Sequence, residues 1–395
     1  MIDLSNEKLP YLFPPAPRKV LSGVDRYLLT LDAAFAGGLP RIENRDKDES
    51  HAKADKADKG TAGFEKRRGP KIFNRLPLSV RLLNGYVREI LTLRRRFILG
   101  KTSERSFIHV NMVGCEVQTI AAKLAGFRAV VTTVHNLPGE DDAGKYWLRR
   151  CIEWLSFAFA DHHICVSEAT FDAWKNRVGL RRDQVTIIYN GMTEPDYSCF
   201  DREAYRRSLL PNYADAVWVG MCARLHPMKG HSVLLEAWAA LESEGACRDK
   251  VLILAGSGPL DAELKKQAHQ LGIENSVFFL GHRTDALEFA RAIDLNVLPS
   301  VHSETLGYGL IEAMFAGRPS VVSDVGGMKE LVALSKGGKV VPARDVLALA
   351  QAFAEYFRAP ETMRADGLRA RCFAREHLTA QKMAEATSRV YASFK

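Results

Sequence analysis

Residues 299–327 read PSVHSETLGYGLIEAMFAGRPSVVSDVGG, and the reading of this stretch decides the fold. Just before it, Leu295–Leu298 is a short apolar run of strand type, and Pro319–Ser323 inside it is another. Between them, from Gly307 to Ala316, the residues have the length and spacing of a helix of about ten residues. Gly317 stands at the expected C-cap, with Pro319 two residues beyond. Strand, loop, helix and strand in that order predict an open parallel sheet of the α/β class.

The loop and the helix start carry candidate chemistry. Glu304 lies in the loop and Glu312 eight residues on. Thr305, Leu306 and Gly307 are placed to offer free backbone N–H groups at a helix N-terminus, which suits a phosphate. A carboxylate beside a phosphate repels it unless the carboxylate points at hydroxyls. The combination fits a ligand with both a diphosphate and polyol rings, which describes a sugar nucleotide. The plainer alternative is a capping Glu304 and a surface Glu312.

The same alternation extends in both directions. Val217–Cys222 is a strand followed by a tight loop that places Arg224 and Lys229 five residues apart. Two cations there suit two phosphates, Arg as a fork and Lys as a point charge. Val251–Ala255 leads into Gly256-Ser-Gly-Pro-Leu260, a GxG turn without the third glycine of a dinucleotide fingerprint. Val277–Leu280 is a further strand, and Leu347–Phe357 and Cys372–Phe394 read as helices. A polar linker covers about residues 193–215.

Upstream, Phe107–Val110 and Ala129–Val134 read as strands around a helix at Cys115–Ala125. His135 stands at the carboxyl end of the second strand, where open α/β sheets bind ligands. Trp147–Ala160 reads as a helix, His163–Val166 and Val185–Tyr189 as strands. Leu21–Gly38 has helical spacing, preceded by a short strand at Tyr11–Phe13. Residues 41–70 alternate charges with almost no large apolar side chain, which predicts a mobile insertion. Residues 74–99 predict a basic amphipathic helix. Val80, Leu83, Val87, Ile90 and Leu91 form its apolar face, and Arg81, Arg88 and Arg95 another. That helix either packs as an ordinary crossover or meets anionic lipid or a charged acceptor. Asp141 and Asp142 have no third ligand nearby, so no metal site is predicted.

Size and composition bound the rest. The 395 residues suffice for two domains, with 47% hydrophobic and 26% charged residues. No apolar run approaches the roughly 18–20 residues that span a bilayer, and the N-terminus does not look like a signal peptide. The expectation is a cytoplasmic protein. Seven scattered cysteines, among them Cys151, Cys165, Cys222 and Cys247, read as reduced core thiols. A net charge of +8 suits an anionic substrate or an anionic membrane surface. Nucleic acid ranks last, with no zinc-finger or aromatic RNA-binding signature.

The Glu-x7-Glu spacing of Glu304 and Glu312, the Gly-rich helix start, the EAMFAGRP run and the Arg-x4-Lys-Gly pattern at Arg224 and Lys229 resemble the family 4 retaining glycosyltransferases. TTVHN at His135 is similar to that family's strand-end histidine near the reacting sugar. The resemblance implies the GT-B fold, two Rossmann-like domains facing each other across a cleft. It implies an acceptor-side domain at 1–195, a nucleotide-sugar domain at 196–375, and a last helix at 376–395 crossing back. It also implies metal-independent transfer of a sugar, with no cofactor, from a nucleotide-sugar donor to a glycan or lipid-linked acceptor, by an enzyme that is cytoplasmic or peripheral on the inner membrane face. Arg224 and Lys229 take the diphosphate, Glu304 the donor-sugar hydroxyls and Glu312 the ribose, while Gly256, Thr305, Leu306 and Gly307 line the nucleotide sugar. His135, Glu304, Arg224 and Lys229 form the catalytic set. Two departures stand out: Leu306 where the family often has Phe, and an eroded glycine loop at Gly23. Rival readings are a GT-B epimerase, a phosphorylase-type enzyme and a non-catalytic sugar-nucleotide or membrane-binding protein.

Overall fold

Two parallel sheets, each flanked by helices, organise the chain in a computed structural model that describes residues 11–13, 27, 30, 31, 33, 34, 78–100, 107–112, 117–138, 147–302 and 304–394. The charged insertion 41–70, the loop at Gly23 and Asp141–Asp142 lie outside the described residues.

The first sheet holds β1 (Tyr11–Phe13), β2 (Phe107–Met112), β3 (Ala129–Val134), β4 (His162–Cys165) and β5 (Val185–Ile187), side by side in that order and all parallel. Every residue of β2 and β3 is buried. That is why they read as continuous runs and not as an alternation: parallel strands are covered on both faces. One face is covered by the helices Leu78–Gly100, Val117–Leu124 and Trp147–Ala158, through Leu93, Phe97, Val117, Ala121 and Ile152. Tyr27 and Leu31 pack on the other, together with Met383, Ala384, Val390 and Tyr391 of the last helix, Ala380–Ala392. The C-terminal helix therefore lies against the first sheet, and the Tyr391 hydroxyl sits 2.6 Å from Nδ1 of His109 on β2.

The second sheet holds β6 (Val217–Cys222), β7 (Lys250–Ala255), β8 (Val277–Gly281), β9 (Leu295–Leu298), β10 (Ser320–Ser323) and β11 (Gly338–Val341), in the order β11-β10-β9-β6-β7-β8. The chain winds outward one way from β6 and then returns to build the other half from β9. The β6/β9 pair is thus a topological switch point, where the following loops diverge and leave a crevice.

Three sequence expectations are corrected. Cys372–Phe394 is not one helix but two, Pro360–His377 and Ala380–Ala392, with Thr379 capping the second by accepting from Lys382 N–H. The break occurs where the chain meets the inter-sheet connector: Met192 N–H donates to Leu378 O at 3.0 Å and Ala380 N–H to Met192 O at 2.9 Å. Among the described side chains of helix Leu78–Gly100, Leu93 and Phe97 are buried and Ile90 of the predicted apolar face packs beside them, whereas Val87 and Leu91 of that face are 44% and 51% exposed; the side chains of Val80, Leu83 and Arg81 lie outside the described residues. Cys165 and Cys247 are buried, but Cys151 is exposed, because it lies on the outer side of helix Trp147–Ala158.

Burial leaves histidines neutral inside the first sheet. His109 bonds Thr133 at 2.7 Å and His163 bonds Thr132 at 2.8 Å. Desolvation pushes both from 6.5 to about 3. Between those values the unfolded chain binds more protons than the folded one, so stability falls as pH falls. Each such proton is worth about 1.4 kcal/mol per pH unit. The melting temperature is expected to drop steadily from pH 7 to pH 5, and His109→Gln to flatten the slope. A pH-independent melting temperature over that range would contradict these neutral histidines.

Candidate functional site

The loops after β6, β9 and β10 meet at the switch point, and they meet backbone to backbone. Gly230, at φ +74°, ends the turn Pro227–Lys229, and a Cβ there would fall 1.9 Å from Pro299 O. Val301 N–H donates to Met228 O at 2.9 Å, which ties the β6 loop to the β9 loop. Gly326, at φ +61°, lies so close to Glu304 that a Cβ would come within 1.4 Å of its carbonyl oxygen. Gly327 N–H donates to Thr305 O at 2.7 Å. Gly256 is pressed on Ala223 in the same way, so it supports the Arg224 loop.

These contacts bring predicted residues together. Lys229 Nζ forms an ion pair with Glu304 Oε2, with the two side chains 22% and 13% exposed. Ser300 donates its hydroxyl to the same carboxylate oxygen at 3.3 Å. Arg224 follows β6 in the same loop and is exposed. Gly307 is the N-cap of helix Tyr308–Phe315 and provides no side-chain cap, and Leu310 N–H donates to Gly307 O at 3.0 Å. A Cβ on Gly307 would stand 3.4 Å from Glu304 Oε1. Leu306 is buried in the core of the second domain, so only its backbone can face a ligand. Glu312, one turn into the helix, is 4% exposed.

His135 approaches from the first sheet. Thr305 donates its hydroxyl to His135 O at 2.8 Å, a direct link between the two halves. The His135 ring is buried, with Nε2 3.0 Å from Asn111 Oδ1 and the Tyr27 ring edge-on at 4.7 Å. Donation from Nε2–H to that amide oxygen leaves Nδ1 as the basic nitrogen. Burial, then the nearby His109, pushes the imidazole from 6.5 to about 3, so it is neutral at pH 7. Its chemistry is that of a neutral hydrogen-bonding group, not of an acid.

Two contributors were missed from sequence, Ser300 and Asn111, and Asn111 near the carboxyl end of β2 was findable by the strand-end rule. Glu330 resembles part of the family's strand-end turn with Gly326–Gly327, but its reach was not readable. It follows Gly326–Gly327 and reaches across to the first domain, where its carboxylate accepts N–H bonds from Glu168, at 2.9 Å, and Ala169. It thus caps helix Glu168–Val178 from outside, alongside that helix's own Ser167 cap. Burial holds the Glu330 carboxyl above the usual carboxylate range despite the two donors. No group of three or more His, Cys, Asp or Glu placed to hold a metal occurs among the described residues.

Two family descriptions match the chain: Glycosyltransferase Family 4 over residues 50–193 and Glycosyl transferases group 1 over residues 216–358. The chain is 31% identical over 248 residues to D-inositol 3-phosphate glycosyltransferase of Gordonia bronchialis, 60% of this chain and 54% of that one. It is 26% identical over 241 residues to the UDP-Gal:alpha-D-GlcNAc-diphosphoundecaprenol alpha-1,3-galactosyltransferase of Escherichia coli, 58% of this chain and 59% of that one. The matches span about half the length of these curated relatives. Among solved structures, Anabaena HepE in complex with UDP superposes with a TM-score of 0.72 at 21% identity, covering 98% of this chain and 100% of that one. Sucrose-phosphate synthase of Thermosynechococcus elongatus superposes with a TM-score of 0.71 at 20% identity, covering 98% of each chain.

The Glu330 contact generates a measurable expectation. Glu330→Ala removes an N-terminal cap that spans the two domains. It should lower stability by about 1 kcal/mol and raise the radius of gyration in small-angle scattering. Unchanged values for both would show that this contact does not hold the domains together.

Proposed function

The chain belongs to the family 4 glycosyltransferases and has their GT-B fold, and on that premise we propose that it moves a sugar from a nucleotide diphosphate donor to an acceptor hydroxyl with retention of configuration. The observation that carries the proposal is the Lys229–Glu304 pair at the switch point beside an uncapped helix N-terminus. A cation and a carboxylate held together fit opposite parts of one donor. A bound diphosphate takes Lys229 away from Glu304, and the freed carboxylate turns to the sugar hydroxyls.

As the bond from the sugar to the diphosphate breaks, negative charge grows on the leaving oxygens. Lys229, Arg224 and the helix N–H groups at Tyr308–Phe315 stabilise it without a metal. The sugar gains cation character, which Glu304 stabilises. The departing phosphate oxygen takes the acceptor proton. Glu312 holds the ribose, and neutral His135 bonds the sugar from the other side of the cleft. Closure of the domains on one another, through Thr305 and Glu330, keeps water from the sugar. HepE has been solved with UDP-glucose, which makes uridine diphosphate sugars the first donors to assay.

Replacing Arg224 or Lys229 by Ala is expected to cut turnover of a labelled donor at least roughly 100-fold, the usual scale for losing one charge-stabilising donor. The wild type should keep its activity in EDTA. Full activity in either folded variant, or a loss on chelation that Mg²⁺ restores, would refute this mechanism.

The acceptor side faces a membrane in this reading. Helix Leu78–Gly100 leaves Val87, Leu91 and Ile98 exposed at 44–51%, and Arg88, Arg94 and Arg95 are exposed beside them. Helix Trp147–Ala158, on the far side of helix Val117–Leu124, adds Trp147 and Trp154, exposed at 63% and 56%. Exposed apolar and Trp side chains among arginines suit the interface of an anionic bilayer. The lipid-linked acceptor in the name of the Escherichia coli relative supports the same reading. No described helix is long and apolar enough to cross a membrane. Co-sedimentation with anionic vesicles is expected at low salt and less at high salt, weakened by Leu91→Ser with Arg95→Gln. Indifference to anionic vesicles at low ionic strength would rule this surface out.

A further inference from the structure

The amino ends of the strands in the second sheet surround a cavity of about 520 Å³ that the proposed reaction does not use. Asp294 directly precedes β9 and Pro319 precedes β10, and both line it. Lys229 and Glu304 follow β6 and β9 at the carboxyl ends. The cavity and the donor cleft are therefore on opposite ends of one sheet.

The cavity is basic. Arg202, Arg291, Arg318, Arg364 and Arg371 line it, and Asp294 is the one carboxylate among the described lining residues. That carboxylate is already committed, to Arg202 and to Arg206 behind it at 2.6 Å. Some guanidinium donors have work within the fold. Arg291 Nη1 donates to Ala316 O at 2.8 Å, where helix Tyr308–Phe315 ends. Arg318 Nη2 donates to Arg291 O at 2.7 Å. This bonding does not account for the rest. The Nε groups of Arg318 and Arg371 are both buried with no acceptor. Most buried side-chain donors in folded proteins find an acceptor, in the protein, in water or in a bound ion.

The charge balance points the same way. Burial, then the neighbouring Arg202, pushes Arg318 down to about 9, and burial with Arg371 lowers Arg291. The cluster repels itself and is relieved by a multiply charged anion, whose oxygens match the guanidinium forks. Pro319, Met363 and Leu368 add apolar wall beside the charged end. The volume is that of a small-molecule site, roughly 300–1,000 Å³.

We propose that this cavity is a second anion site, separate from the donor cleft, which takes a small soluble ligand through a phosphate or diphosphate group. Inorganic pyrophosphate is the probe, titrated calorimetrically at low ionic strength into the full chain. Two binding events are expected, one in each site. Arg364→Gln with Arg371→Gln should weaken one event at least tenfold, and Lys229→Ala should weaken the other while sparing the first. The thermal melt of each variant is recorded alongside, and the exposed Arg364→Glu alone, which leaves the buried groups in place, should weaken the same event. No pyrophosphate binding by the wild type, loss of all binding in Lys229→Ala, or full binding in both folded arginine variants would overturn the proposal. Loss of donor turnover with both binding events intact would count against the proposed reaction and not against this site.

Discussion

Direct contact between backbones at the carboxyl ends of β6, β9 and β10 is the constraint on which the site depends. At Gly230 and Gly326 the chain passes so close to Pro299 O and Glu304 O that any Cβ would overlap them. Both glycines also hold positive φ, so a side chain there would be strained even with room. The consequence is geometric. Loops from strands far apart in sequence are locked at a spacing that presses Lys229 against Glu304. Both side chains are mostly buried, so leaving the pair for water costs each its partner in a partly desolvated place. In a partly desolvated place the attraction exceeds that of a surface pair, and so does the cost of leaving either partner alone. A ligand that offers an anion to the lysine and hydroxyls to the glutamate resolves that tension on both sides at once.

A second constraint joins the two sheets. Thr305 bonds His135 O, Glu330 caps a helix of the first domain, and Gly327 passes so close to Ser167 that a Cβ would stand 2.6 Å from its side chain. Thr305 and Gly327 belong to the loops fixed by Gly326, and Glu330 lies in the first turn of the helix Met328–Ser335 that follows them. Cleft geometry and domain contact are therefore one arrangement, and a shift of the β10 loop would alter both. The last helix, Ala380–Ala392, supplies an independent tie because its apolar face completes the core of the first sheet.

The second half of the chain was legible in its sequence for a physical reason. Strands buried on both faces show up as short apolar runs, and the tight turns between them demand glycine or proline. Pro319 and Gly317 marked the end of helix Tyr308–Phe315, and Gly317 is indeed left-handed at φ +70°. The first half was less legible. Helix Leu78–Gly100 carries two apolar stripes, and only its partner, helix Val117–Leu124, decides that Leu93 and Phe97 go inward while Val87 and Leu91 stay out. The break at Thr379 was hidden because both flanks favour a helix, and the connector at Met192 imposes it. Glu330 reaches residues more than 160 positions away, which no local pattern encodes. In the site, the residue types of Arg224, Lys229, Glu304 and His135 were readable, but the pairing of Lys229 with Glu304 was not.

The state of His135 shows how the fold prepares the site for the proposed chemistry. A strand-end histidine in solution would be partly protonated near neutral pH. Here burial against Tyr27 and the proximity of His109 keep it neutral. That matters because the proposed reaction develops positive charge on the sugar. An imidazolium aimed at that sugar would oppose the charge, whereas a neutral ring with Nε2–H held by Asn111 offers a lone pair to it or to its hydroxyls. The positive groups, Arg224 and Lys229, come from the opposite domain, where the proposed reaction puts the leaving group. Cations and the neutral base thus come from different sheets. In the proposed reaction, a donor laid across the cleft would have its negative half stabilised from one domain and its positive half unopposed from the other.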